Sequence, residues 1–264
     1  MKTLILLFIT LSLYANTIAA RYDVTFSVFG KIGEAYVEFE QNKGRYYIKV
    51  DGKLTGTAAS MGQNRREIHE SFGLIKEGVL VPELYKKQEL SDFYHYETYF
   101  VFYPDNQPVQ EYRIREKTER ENRVDIAKMQ FYSEEVTKHS SSHKNIPYQA
   151  QNDLLSLFFN IREYLKTIPE GNYKIIHAVG GRNNKGEILV SNPSGEKRKM
   201  LKELMPSNEN RLITVVIDQD IFKSDKGELF IALDKNYLAK EAMLKDVLLF
   251  GDIHGYRVWQ EGKL

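Results

Sequence analysis

The chain has 264 residues, with 37 lysines and arginines against 36 aspartates and glutamates, and no cysteine. That length allows one large domain or two small ones, with a core that buries well over half of the unfolded surface. The missing cysteines exclude disulfides, thiolate metal sites, a cysteine nucleophile and a lipidated cysteine, and the near balance of charge offers no basic face for a nucleic-acid backbone.

Lys2, the apolar run Leu4 to Leu13 and the small-residue segment Ala15 to Ala20 have the charged start, apolar centre and small-residue exit of a secretory signal peptide. The run is about half the length that a membrane-spanning helix needs, so removal is expected rather than anchoring. Cleavage is expected after Ala20, which leaves a first strand intact from Arg21, with Ala15 and Ala19 as alternatives. This divides the chain into a signal peptide over 1–20 and a single β-rich domain over 21–264, formally neutral once Lys2 is lost and without a transmembrane anchor.

Aromatic residues make up 12% of the chain, with 17 tyrosines and 14 phenylalanines, a composition that favours strands. Tyr22, Val24, Phe26 and Val28 alternate with polar neighbours, the period of a half-buried strand. Gly30 and Gly33 bracket a turn into Ala35, Val37 and Phe39, and after Asn42-Lys43-Gly44 the segment Tyr46, Ile48, Val50 returns. Short strands joined by turns are expected from Gly52 to the Pro82 region.

From Phe93 to Tyr103 aromatic rings occupy both parities, with Phe93, Tyr99 and Tyr103 on one and Tyr94, Tyr96, Phe100 and Phe102 on the other. Such a strand is enclosed on both faces or lines a cavity. The Pro104 to Pro108 segment reads as a turn, and Glu111 to Asp125 as the charged return strand of a long hairpin. His139 to Pro147 reads as a polar loop.

Asn152 or Asp153 caps a helix over about 152–166 that carries Leu154, Leu155, Leu157, Phe158, Phe159, Ile161, Tyr164 and Leu165. Apolar positions nearly encircle it, as in a helix wrapped by a curved sheet. Strands resume at Tyr173 to Val179, Ile188 to Val190, Leu212 to Ile217 and Leu229 to Leu233, followed by Leu238 to Leu244, read as strand against its helical propensity, and a terminal stretch ending at Trp259. The fold class expected is mainly β: a curved antiparallel sheet or incomplete β-barrel around one central helix, with two β-rich halves flanking it.

No complete catalytic constellation is present. Gly251-Asp252-Ile253-His254-Gly255 looks like the opening metal motif of calcineurin-like phosphoesterases but lacks their further ligands, so a glycine-flanked turn is expected there. His139 and His143 lack a completing carboxylate set, and His69, His95 and His177 lie in strand patterns without a recognisable partner. Ser60, Ser71 and Ser156 lack the glycine-flanked elbow of a hydrolase nucleophile, and no glycine cluster has the setting of a phosphate loop. No metal and no cofactor is expected.

Several segments together resemble one family. Tyr22 to Phe26 with Gly30 to Ala35, Ser71-Phe72-Gly73 with Gly78 to Pro82, the Asp153 to Arg162 segment and the Leu248 to Gly255 ending are similar to exported bacterial proteins grouped as domain of unknown function 3108. The resemblance implies a periplasmic protein of Gram-negative bacteria and supplies no catalytic residue. By looser analogy, a helix held against a curved sheet is similar to the lipoprotein-localisation carriers, which shelter acyl chains. The function expected is therefore a non-enzymatic periplasmic protein that binds or carries a hydrophobic, lipid-like ligand, with Tyr99, Phe100, Phe102, Phe158, Phe159 and Tyr164 lining the cavity. The alternatives are an envelope scaffold or assembly factor acting through protein contacts, and a hydrolase with an unrecognised site.

Overall fold

The computed structural model describes residues 16–262 apart from 28, 105–106, 126–129, 182–184, 206, 208, 210, 218–227 and 248–250. The segment before Asn16, Val28, Asp105 and Asn106 of the expected turn, and the Leu248 to Phe250 part of the family ending lie outside the described residues.

The first half consists of β1 (Asn16–Phe26), β2 (Gly30–Asn42), β3 (Arg45–Leu54), a short helix α1 (Gly56–Met61), β4 (Arg66–Lys76), β5 (Val79–Leu90), β6 (Tyr94–Val101), β7 (Gln110–Asp125) and β8 (Gln130–Asn145). A two-residue strand β9 (Asn152–Asp153) leads into helices α2 (Leu154–Phe159) and α3 (Ile161–Leu165). The second half comprises β10 (Tyr173–Val179), β11 (Glu187–Ser191), α4 (Gly195–Leu204), β12 (Arg211–Ile217), β13 (Glu228–Leu233), β14 (Ala239–Val247) and β15 (Gly251–Gly262).

The fifteen strands among the described residues belong to one open sheet in the order β8-β7-β6-β5-β4-β3-β2-β1-β15-β14-β13-β12-β11-β10-β9. Neighbours in this order pair antiparallel, except the parallel β9–β10 pair. The first and last strands meet in the middle: β1 runs between β2 and β15, so the two halves are stitched where the termini pair. At the β2–β3 turn Lys43 and Gly44 have φ 49 and 75, the left-handed pair whose twist matches the flanking strands of a two-residue hairpin.

One face of the sheet holds most of the core. Ile18, Phe39, Ile48, Tyr85 and Phe100 lie on it with Leu155 of α2, and farther along Ile176, Val190, Ile213, Val215 and Ile231 pack with Leu157 and Ile161. Helix α2 touches β4 and β5 as well as β10. The opposite face of β12–β14 carries Leu212, Phe230 and Met243, covered by Leu201 and Met205 at α4.

Several sequence expectations change. The first strand begins at Asn16, five residues before Arg21, because Ile18 and Ala20 are core side chains. The strands expected at Ile68 to Leu74 and around Pro82 are present but longer, as β4 and β5, and α1 lies within the Gly52 to Gly62 stretch. His139 to Asn145, expected as loop, belongs to β8, which pairs with β7 from Gln110↔Asn145 to Asp125↔Gln130. Backbone pairing sustains this edge strand, and its Lys, Ser and His side chains suit an edge that must not recruit another chain. His139 and His143 therefore stand about 13 Å apart along a strand, at ~3.4 Å per residue. Gly251 to Gly255 is strand, with His254 paired to Thr25 and Met243, in place of the expected turn. The single helix over 152–166 is two short helices that meet at Asn160, whose side chain is used elsewhere. Helix α4, with a charged sequence and few apolar positions, had no counterpart in the expectations.

Candidate functional site

The site follows from which side chains neighbouring strands place side by side. Across β1 to β5 the inward positions form rows: Ile18, Phe39, Ile48, Ser71 and Tyr85; then Ala20, Val37, Val50, His69 and Lys87; then Tyr22, Ala35, Gly52, Glu67 and Glu89; then Val24, Gly33 and Leu54. The first row is large and closed. In the last two rows Gly33, Ala35 and Gly52 supply almost no side chain, so the sheet face there is a hollow. A cavity of ≈ 410 Å³ sits over it, lined by Val24, Ile32, Ala35, Val50, Leu54 and, on one side, Arg65, Glu67 and His69. A Cβ built on Gly52 meets only the Glu67 carbonyl oxygen at 3.9 Å, an ordinary contact, so this glycine leaves space without being required by backbone conformation.

The polar wall is charge-balanced. Arg65 pairs with Glu67 and lies 3.8 Å from Glu89, while the Lys87 ammonium is 2.8 Å from Glu89 and 3.9 Å from Glu67. Two cations face two carboxylates, with His69 between. Burial pushes the Glu67 carboxyl up, but the His69 hydrogen bond and the Lys87 and Arg65 charges outweigh it and hold the group at about 2. His69 Nδ1 is 2.6 Å from the Tyr85 hydroxyl and Nε2 is 3.4 Å from Glu67. Tyr85 is fully buried, and burial followed by the Asp153 and Glu67 charges raises its phenol well above its ordinary range. A row of polar contacts thus runs from the cavity wall to the buried Tyr85 in the middle of β5.

A second polar assembly fixes α2 against this face. The Ser71 hydroxyl donates to Asp153 Oδ2 at 2.6 Å, and Tyr46 Oη lies 2.9 Å from Ser71 Oγ. Asp153 Oδ1 accepts from the backbone N–H groups of Leu155 and Ser156 at 2.7 and 2.9 Å, and Ser156 Oγ accepts from Asp153 N, which completes a capping box. Burial pushes the Asp153 carboxyl up, and these hydrogen bonds pull it back. One helical step on, Asn160 Oδ1 accepts from Leu80 N at 2.8 Å and its Nδ2 donates to Leu80 O at 2.9 Å, so one side chain replaces a missing strand partner for β5. Asn152 bridges Asn160 to the Tyr164 hydroxyl.

Of the six residues expected to line a ligand site, Phe100, Phe102 and Phe159 meet in one core cluster, Phe158 and Tyr164 in a second, and Tyr99 stands apart from both. Phe100 is buried against Tyr85 with ring centroids 5.7 Å apart, and Phe159 stacks on Phe39 at 4.9 Å, with Phe102 packed in the same cluster. Phe158 and Tyr164 pack in the second cluster. Tyr99 occupies the opposite face of β6, where its hydroxyl donates to Glu97 at 2.6 Å and Lys86 Nζ sits 5.4 Å from its ring centroid. None of the six lines the ≈ 410 Å³ cavity. The residues that do line it went unread because small residues and alternating charges, not aromatics, mark it; the parity of Arg65, Glu67, His69 and Ser71 is the one signal that could have found the wall.

No group of three or more His, Asp or Glu side chains gathers in a metal-binding arrangement among the described residues. No helix among them is long and apolar enough to cross a membrane. No family model, curated protein or solved structure matches the chain.

Proposed function

We propose that this protein is an exported, periplasmic, non-enzymatic binding or carrier protein, and that its ligand is a small apolar molecule with a neutral polar head held in the β1–β4 cavity. The observation that carries the reading is the hollow itself, an apolar floor made by Gly33, Ala35 and Gly52 between Val24, Val50 and Leu54, with one polar wall. Its ≈ 410 Å³ corresponds to about fourteen methylene-sized groups at ~30 Å³ each. A neutral head fits best because the charged groups lining the cavity are already paired, Arg65 with Glu67 and Lys53 with Glu34, which leaves hydrogen bonding, not net charge, to offer a ligand.

The expected curvature is supported by the contacts of α2. A six-residue helix is only about 9 Å long, yet α2 meets β4 and β5 on one side and β10 on the other, strands well separated in the sheet. A sheet that wraps α2 and α3 as an incomplete barrel accounts for this. A second reading, an assembly factor for envelope proteins, is favoured by the half-exposed rings of Tyr36, Tyr256 and Trp259 on β2 and β15.

The test is a fluorescence titration with the apolar dye N-phenyl-1-naphthylamine, on the wild type and on Gly52→Leu, which fills the hollow. Saturable binding lost in Gly52→Leu, with unchanged melting temperature and circular dichroism, supports the carrier reading. Equal binding by both proteins, or none by either, rejects it.

A further inference from the structure

We infer that export maturation cuts the Ala15–Asn16 peptide bond, so that the working protein begins at Asn16. This rests on the export reading above and decides among three alanines that the sequence leaves open. The argument comes from what the fold requires of residues 16–20. Strand β1 starts at Asn16 and lies between two partners, so each of its residues near this end is held from one or both sides: Asn16↔Gln41, Thr17↔Glu40, Ile18↔Phe39 and Gly262, Ala19↔Glu38 and Glu261, Ala20↔Val37 and Gln260.

The side chains agree with the pairing. Ile18 is 1% exposed and belongs to the core cluster with Phe39, Ile48 and Leu155, and Ala20 is 3% exposed. A cut after Ala19 removes Ile18 from that cluster, and a cut after Ala20 removes both. Either opens β2 and β15 at the centre of the sheet, the place where a missing strand cannot be tolerated as it could at an edge.

The last strand carries an independent sign that this segment stays. Gly262 has φ +79, and a Cβ there would lie 1.9 Å from the Thr17 carbonyl oxygen and 3.2 Å from Ile18 Cα. The end of β15 is therefore shaped around Thr17 and Ile18. A chain that lost both at maturation would have no use for a glycine at that position.

The peptidase meets the chain before it folds, so the fold does not shield Ala19 or Ala20; the choice is read from the product, which must still contain the strand its sheet is built around. Ala15 supplies the small residue that export peptidases need immediately before the scissile bond, and it follows the end of the apolar run at Leu13 with only Tyr14 between. The step is a hydrolysis: water adds across the Ala15–Asn16 amide, leaving a carboxylate on Ala15 and an ammonium group on Asn16.

The experiment is expression of the full chain with a C-terminal tag in a Gram-negative host, purification from the periplasm, and N-terminal sequencing with intact mass. The expected result is a single species starting at Asn16. Ala15→Gln should accumulate as uncut precursor, while Ala19→Val should still be cut before Asn16. A mature start at Ala20 or Arg21 overturns this inference and leaves the export reading standing; a protein that retains Met1 in the cytoplasm overturns both. As a separate measure, chains started at Asn16 and at Arg21 are made without a leader, and the first should melt at the higher temperature. Equal melting temperatures contradict the argument.

Discussion

The Ser71–Asp153 contact predicts a measurable coupling across 82 residues of sequence separation. Both groups are fully buried, and Asp153 also caps α2. Asp153→Ala strands two N–H groups, worth about 1 kcal/mol as a lost N-cap, and leaves the Ser71 hydroxyl without its acceptor, worth roughly 1–3 kcal/mol. The single variant should therefore lose about 2–4 kcal/mol. Ser71→Ala removes one charge-assisted hydrogen bond but spares the cap, and the double variant has no stranded hydroxyl. Because Tyr46 also meets Ser71, the cycle is best run in a Tyr46→Phe background, where the phenol cannot take up the vacated partner. Urea unfolding of the four proteins should give a coupling of about 1.5–3 kcal/mol, the range for hydrogen bonds to charged groups. A coupling below about 0.5 kcal/mol would refute the claim that this contact holds α2 to β4.

Glu67 carries an acid-sensitive contribution: its folded pKa of about 2 lies below the ordinary 4.5, so its stabilisation is present above pH 4.5 and lost as pH falls towards 2. The stability gap between wild type and Glu67→Gln should shrink over that window in pH-resolved denaturation; a gap that stays constant contradicts the pairing with Lys87 and Arg65. Asn160→Ala strands the buried Leu80 N–H and C=O, at roughly 1–3 kcal/mol, and hydrogen exchange at Leu80 should quicken by about fivefold or more, whereas unchanged protection would mean that β5 needs no such clip. Gly262→Ala forces a Cβ onto Thr17 and a non-glycine into φ +79, costing about 1–2 kcal/mol or more; a melting temperature equal to wild type would show that the β1–β15 end is not closed in this way.

Legibility in the sequence followed side-chain chemistry. Tyr173 to Val179 coincides with β10, and Leu212 to Ile217 and Leu229 to Leu233 match β12 and β13 to within a residue, because buried β-branched and aliphatic runs between turns have few other uses. Residue type alone offers Asn152 or Asp153 as the cap, and the structure uses Asp153. Strand β8 was lost because an edge strand with two wet faces has no apolar period to read. The break at Asn160 was hidden because a helical pattern continues through it, and only the tertiary demand of Leu80 N and O explains why the helix stops and restarts there. The aromatic strand β6 drew attention to large rings, which mostly pack on each other, while the cavity arises where side chains are smallest. A hollow made by Gly33 and Ala35 of β2 and Gly52 of β3, between walls from β1 and β4, exists only once four strands are in register, and register between strands separated by turns and a helix is not written in any one of them.

The central claim is that this hollow is occupied in the cell. Native mass spectrometry of the protein released from the envelope without detergent, with organic extraction of anything bound, tests it directly alongside Gly52→Leu prepared in the same way. The account predicts a stoichiometric apolar adduct on the wild type that is absent from Gly52→Leu. A clean ligand-free mass for the wild type, or the same adduct on both proteins, would contradict it.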